Sequence, residues 1–401
     1  MTPADPTPAV APAARSRLVL LATGMFAIGT DSFVIAPLLS HIAHDLDVGI
    51  AAAAQLITAY ALAYAVSSPF IATVTAHWRR ERALVAGLAI FVLANACAAS
   101  AMSFAAILAA RAFAGLGAAL FAPVASASAA GLVSPARRGR ALSIMMIGLS
   151  SATALGSPLG TLIGTFLSWR AVFLLVAALA ALVAVAILLA IRIGAESNGV
   201  PVSERLRPLR EPSVLTTLLV TFLVLTGLYI SYTYITVIFD RATGHDGACM
   251  AILQSIWGFA GIAGATMAGR LTDRWGSGAV VRVMLVLLLL DFALMPWTSA
   301  HRDSAAAAML VWGICGWGFV VPQQHRLIDK APQSAAILLA LYTMAVYGGT
   351  SASGVIGALA LQVINPHRLP LVGVGLILSG LLVDEFARRR RKRPSLAIRG
   401  A

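Results

Sequence analysis

A lone cation inside an apolar run poses the first chemical question of this sequence. The stretch Ala105–Val133 carries one charge, Arg111. About 20 apolar residues suffice to cross the hydrocarbon of a bilayer. An arginine within such a run is costly unless it faces a partner or water. Few acids can answer it. Asp31 lies in the first apolar run, in Gly29-Thr-Asp31-Ser-Phe-Val-Ile-Ala-Pro37, and Asp291 lies in the ninth. Asp240, Asp384 and Glu385 stand near run ends, where a side chain can snorkel to water. At 1.5 Å per residue, Asp31 sits about 20 Å into a span that begins near Leu18, or about 10 Å from its far end. Arg111, on a span running the other way from Ala105, is also about 10 Å deep. Depth therefore allows the pair. Withdrawal from water favours a neutral acid, whereas an adjacent guanidinium favours the carboxylate. A movement of Arg111, which stays charged, would thus toggle proton binding at Asp31 and couple it to conformation. The plain alternative is a fixed ion pair that only sets helix packing. Intramembrane charges usually mark transport paths, so proton coupling is the preferred reading.

Other residues could shape a ligand cavity. Phe26, Gln55, Tyr60, Tyr229, Tyr232, Gln254, Trp257 and Tyr347 are aromatic or polar positions inside apolar runs, suited to an amphipathic organic molecule. Each taken singly reads more simply as a core or interface side chain. Trp169, Trp275 and Trp297 lie near run ends and fit an interfacial aromatic belt. In the fifth run, Ala152, Gly156, Gly160 and Gly164 recur every four residues, a small face that admits a neighbouring helix. Pro158 removes a backbone hydrogen bond there and should bend the helix. No Gly-x4-Gly-Lys-Ser/Thr sequence or Gly-x-Ser-x-Gly elbow occurs. His41, His44 and His301 lack metal-ligand spacing, and Cys97, Cys249 and Cys315 match no disulfide or metal pattern. The expectation is therefore no catalytic residue, no metal site and no cofactor, with a proton gradient as the energy source.

The elements that must hold these residues follow from composition. Of 401 residues, 59% are hydrophobic and 11% are charged, against about 25% charged in soluble domains. Long unbroken apolar runs exclude the alternation of a transmembrane barrel. Twelve helical spans are expected, at roughly 18–40, 51–75, 83–103, 105–133, 139–164, 168–191, 213–239, 249–271, 279–298, 304–326, 334–362 and 368–387. The net charge of +13 lies in short basic clusters between runs, which argues against a nucleic-acid binder. Outside Arg111, the basic residues divide 24 to 4 between the two sides of the membrane. This places both termini in the cytoplasm and requires an even number of spans. The domains expected are a disordered cytoplasmic segment 1–17, a six-helix bundle 18–191, a cytoplasmic central loop 192–212, a second bundle 213–387 and a basic tail 388–401 that attracts anionic lipid. The halves look duplicated. Gly269-Arg-Leu-Thr-Asp273-Arg-Trp275-Gly276 aligns with Ala72-Thr-Val-Thr-Ala76-His-Trp78-Arg79 at an offset of 197 residues, and Gly316-Trp-Gly318 with Pro322 loosely echoes Gly115-Leu-Gly117 with Pro123.

These residues resemble the major facilitator superfamily, and within it the twelve-span bacterial drug:proton antiporters of the chloramphenicol-resistance and arabinose-efflux type. The segment Leu108-Ala-Ala-Arg111-Ala-Phe-Ala-Gly115-Leu-Gly117 follows the family's fourth-span pattern, and the resemblance implies a role for Arg111 in proton coupling. Gly156, Pro158 and Gly160 meet part of the fifth-span antiporter signature; Ala152, Ser157 and Thr161 depart from it. Gly29-Thr-Asp31 with Pro37 resembles the first span, and Trp169-Arg170-x-x-Phe173 the start of the sixth. Gly269, Asp273, Arg274 and Gly276 form a good copy of the loop motif that in the family latches the cytoplasmic side. Its counterpart between spans 2 and 3 is degraded, with Ala72 and Ala76 at the key positions.

The reading is an all-α membrane protein with two pseudo-symmetric six-helix bundles. It is expected to be a transporter and not an enzyme, exporting small amphipathic compounds or drugs in exchange for protons by alternating access. Proton coupling is assigned to Asp31 and Arg111. The expected partners are a small-molecule substrate, protons and lipid, with no nucleic acid, for a monomer in a bacterial inner membrane. A proton-coupled exporter of a sugar, nucleoside or amino acid shares every feature quoted. A receptor or scaffold without flux is the remaining reading.

Overall fold

The computed structural model describes residues 12–74, 78–134, 137–190, 207–330 and 335–392. The amino-terminal eleven residues, most of the central loop, the end of the basic tail and the degraded motif at Ala76 lie outside the described residues. Twelve long helices account for most of the rest. They are α1 (Pro12–Asp45), α2 (Gln55–Val74), α3 (Arg80–Ser100), α4 (Phe104–Gly131), α5 (Arg138–Phe166) and α6 (Trp169–Ala190). The second half has α7 (Pro212–Thr233), α8 (Gly247–Trp275), α9 (Ser277–Thr298), α10 (Arg302–Ile328), α11 (Ala335–Ala360) and α12 (Leu369–Lys392). Among the described residues, eleven helices are long and apolar enough to cross a membrane, and α11 packs among them as the twelfth. The chain is inside-out relative to a soluble domain. Leu93, Phe166 and Leu189 are largely exposed on the outer faces, whereas Asp31 and Arg111 are buried. That is the distribution a hydrocarbon solvent favours.

Each half repeats one packing scheme. In the first, α1 packs on α5 and α6, α2 on α4, and α3 on α4 and α6. In the second, α7 packs on α11 and α12, α8 on α10, and α9 on α10 and α12. The duplication reaches single residues. A Cβ added to Gly115 would stand 2.3 Å from the Tyr60 carbonyl oxygen, and one on Gly313 would stand 2.4 Å from that of Trp257. Gly313, rather than the expected Gly316, is thus the counterpart of Gly115. Tyr60 and Trp257 are themselves 197 residues apart, the offset of Trp78 and Trp275. The halves meet where α2 lies along α11, α5 along α8, and α1 against the segment after α7.

Several boundaries differ from the sequence expectation. The helix α1 begins at Pro12, so residues 12–17 are not disordered: proline at a first helical turn loses no hydrogen bond, and Ala13 and Ala14 favour helix. At the other end α12 continues to Lys392, because Glu385 pairs with Arg388 and Arg389 three and four residues on. The seventh span breaks at Tyr234, which leaves helical geometry, and continues as the short turns Ile235–Ile238 and Asp240–Thr243. The bend expected in α5 takes the form of a π-helical turn, Ala152–Gly156. Pro158, with no N–H to offer Ala154, follows directly, and the widened turn absorbs the missing bond. Trp169 is buried instead of lying in an aromatic belt; its indole donates to Asp45 at 3.1 Å.

Candidate functional site

Arg111 on α4 and Asp31 on α1 meet inside the first bundle. One guanidinium nitrogen of Arg111 donates to both carboxylate oxygens, at 2.8 and 2.7 Å. The two side chains are 1% and 0% exposed. The guanidinium carbon lies 4.6 Å from the centre of the Tyr60 ring and 5.8 Å from that of Phe173, so two aromatic faces share the cation. Its Nε has no hydrogen-bond partner among the described residues. The Ser32 hydroxyl donates to the Tyr60 phenol oxygen at 2.9 Å. The pair is therefore charge-compensated but not saturated, a state in which a proton, water or ligand group could enter.

Small residues bring α1 and α5 flush against each other beside the pair. A Cβ on Gly156 would lie 2.1 Å from the Thr30 hydroxyl, and one on Gly160 would lie 2.3 Å from a Val34 methyl. Pro158 is buried between them. On its other side α5 faces the second bundle, where a Cβ on Gly258 of α8 would stand 2.5 Å from the Ala154 Cα.

The expected cavity residues fall into two groups. Tyr232, Gln254 and Trp257 are buried in the interface between the halves. Tyr232 donates to the Phe33 carbonyl at 2.8 Å, and Thr161 donates to Gln254 Oε1 at 2.7 Å. Gln55 reaches the Gly354 carbonyl at 3.4 Å across the same interface. Phe26, Tyr229 and Tyr347 are half-buried, and Tyr60 is buried next to Tyr347, with ring centres 6.4 Å apart. Tyr229 lies edge-on to Tyr232.

Among the described residues, several bonds between the halves lie toward one end of the bundle. Ser40 to Thr236 (2.9 Å), Thr58 to the Ser351 carbonyl (3.3 Å), and the Tyr232, Gln254 and Gln55 bonds all occupy the part distant from the termini. Outside them is a cleft of about 410 Å³ lined by Ser40, His41 and Asp45 from one half and by Thr236, His245 and Asp246 from the other. At the opposite end, Asp273 and Arg274 of the loop motif are exposed and have no partner among the described residues. A Cβ on Gly269 would only touch a Val321 methyl at 4.0 Å, and Gly276 turns the chain into α9 with φ +78°.

Sequence reasoning missed two features. Phe33 inserts its ring among Tyr232, Trp257 and Trp317, at 5.7, 6.1 and 6.1 Å. The available signal was Pro37, four residues later. Asp384 does not snorkel: it is buried and paired with Arg326, which also bonds Gln323 at 3.0 Å. A side chain near a helix end can turn inward when a neighbouring helix presents a cation, and sequence does not show which helices are neighbours. Asp291 is buried inside the second bundle, with Oδ2 unpartnered among the described residues.

Two repeated six-helix bundles, one of them enclosing a buried ion pair, define a polytopic all-helical membrane protein. Residues 21–355 match the Major Facilitator Superfamily, and the chain belongs to that family as a membrane transporter rather than an enzyme. It is 30% identical over 376 residues to a chloramphenicol resistance protein of Streptomyces lividans, covering 93% of this chain and 96% of that one. It is 31% identical over 389 residues to a chloramphenicol efflux pump of Mycobacterium tuberculosis (strain ATCC 25618 / H37Rv), covering 93% of each. An inner membrane transport protein of Escherichia coli (strain K12) is 29% identical over 381 residues, with 94% and 96% covered. Among solved structures, a bacterial homologue of the human lysosomal transporter Spinster, in an inward-facing, unoccupied conformation, superposes with a TM-score of 0.72 at 16% identity, covering 94% of this chain and 97% of that one. A POT family transporter in complex with 5-aminolevulinic acid gives 0.75 at 14%, covering 94% and 96%. These two likenesses concern the fold.

Proposed function

We propose that this transporter exports small amphipathic compounds, phenicol-type antibiotics among them, in exchange for protons across a bacterial inner membrane. It acts as a monomer with both termini in the cytoplasm and needs no cofactor beyond the proton gradient. The observation that carries the reading is the dry Asp31–Arg111 pair, whose Asp31 stands on α1 two residues from Phe33, itself in contact with the second bundle. With the pair closed, the guanidinium favours the Asp31 carboxylate; when rocking of the bundles draws Arg111 away while the site stays dry, Asp31 takes a proton, and the return of Arg111 or the entry of water releases it. Bonds between the halves at the end far from the termini, with Asp273 and Arg274 unengaged at the other, support an inward-facing state. The names of the Streptomyces and Mycobacterium relatives support the substrate class.

The test is proton movement in proteoliposomes carrying an entrapped pH dye. Adding chloramphenicol against an imposed pH gradient should drive proton flux with wild-type protein and none with Asp31→Asn. Chloramphenicol transport that ignores the pH gradient would overturn the coupling. No chloramphenicol transport, with export of another compound in a substrate screen, would overturn the substrate class.

A further inference from the structure

Helix α1 carries a defect at a place where it touches the other half of the molecule. Pro37 lies inside α1 and has no N–H, so the carbonyl of Phe33, four residues earlier, loses its usual helical donor. A buried carbonyl without a partner is costly and must find a donor elsewhere. It finds two. The Tyr232 phenol, from α7 in the opposite half, donates to it at 2.8 Å, and the Ser157 hydroxyl of α5 donates at 3.2 Å. Both donors are buried. The ring of the same residue sits among Tyr232, Trp257 and Trp317 of the second half. Phe33 is two residues from Asp31, and Pro37 lines the cleft at the far end.

We infer that the Phe33 carbonyl, released by Pro37 and held by Tyr232, is the clasp that keeps the far end of the half-interface shut. The inference rests on the alternating-access reading above. A clasp made of a freed carbonyl has two useful properties. Its acceptor is fixed by the backbone of α1, so any displacement of the Asp31 turn moves it directly. Its rupture also leaves a carbonyl that water or Ser157 can satisfy, so opening does not strand a buried polar group. Tyr232 is thus a positioning residue for the gate and not a ligand for the proton.

The test measures the distance across the far end in the full-length protein in nanodiscs. Spin labels are placed on Leu167→Cys and Asp303→Cys, both exposed, in a background with Cys97, Cys249 and Cys315 replaced. Pulsed dipolar spectroscopy then reads the ratio of long to short distances without substrate or pH gradient. Gly258→Trp serves as a wedge, since even a Cβ there meets the Ala154 backbone. Loss of one hydrogen bond should raise the long-distance population about two- to tenfold in Tyr232→Phe, with a larger rise when Ser157→Ala is added. Pro37→Ala restores an N–H that can bond the Phe33 carbonyl within α1, so Tyr232→Phe should then change the ratio by much less. An unchanged ratio in Tyr232→Phe, or an equal step with and without Pro37, overturns the clasp. If the wedge opens the far end while Tyr232→Phe does not, the clasp alone fails. If neither does, alternating access fails and the clasp with it. Tyr232→Phe is nearly isosteric, and melting curves for each variant separate misfolding from gating.

Discussion

Replacing the Asp31–Arg111 pair by apolar side chains separates its two roles, structural support and proton coupling. In Asp31→Leu the guanidinium keeps its place, 1% exposed, but loses both short charge-assisted bonds. Such bonds contribute about 1.5–3 kcal/mol each, and stranding a buried charge costs about 3–5 kcal/mol. The Tyr60 ring at 4.6 Å faces the guanidinium with or without Asp31, so it offsets none of that. Each single variant, Asp31→Leu or Arg111→Met, should therefore lose about 3–5 kcal/mol of stability. The double variant buries no charge and should recover to within about 1 kcal/mol of wild type, as apolar replacement of buried ion pairs often does. Thermal or denaturant unfolding of all four proteins in one detergent completes the cycle. Proteoliposome export completes the functional half: the double variant should be folded yet unable to use a pH gradient. Retained gradient-driven export in that stable double variant would refute proton carriage by Asp31. Single-variant losses below about 1 kcal/mol would refute the claim that the pair is dry.

Three further outcomes are expected. Gly156→Val should destabilise the protein by about 1–3 kcal/mol, the usual cost of overpacking, because its Cβ alone would stand 2.1 Å from the Thr30 hydroxyl; the melting temperature should fall and export with it. Arg326→Met should cost about 1–3 kcal/mol by leaving Asp384 buried and unpaired, with substrate-driven proton flux per molecule of folded protein unchanged, since the pair lies in the second bundle away from Asp31. Asp273→Asn, which breaks no bond in the present state, should leave the melting temperature within about 0.5 kcal/mol equivalent but raise labelling of a cysteine placed on the termini side of the interface. Unaltered labelling would remove the latch role of that motif.

Much of the site was legible in the chain because a membrane makes charge conspicuous. Arg111 and Asp31 stood out as rare charges in apolar runs, and counting residues along antiparallel helices put them at one depth. The repeat of small residues in α5 announced a close neighbour without identifying it as α1. The cavity residues were less legible. Tyr232, Gln254 and Trp257 are aromatic or polar residues in apolar runs, and so are Phe26 and Tyr347. Nothing local distinguishes a side chain that bonds across an interface from one that faces open space.

Hydropathy, basic-residue distribution and the 197-residue offset of the halves depend on each helix's solvent and on duplication, which are properties of the chain itself. From them came the number of spans, the two bundles and the separation of lipid-facing from buried residues. Helix adjacency depends on rotation about each axis and on which small face meets which knob, and these are set by contacts between residues far apart in sequence. The tertiary structure alone therefore decided that Arg111 donates to both oxygens of Asp31, that Asp384 turns inward to Arg326, and that the carbonyl freed by Pro37 is met by Tyr232 from the other half.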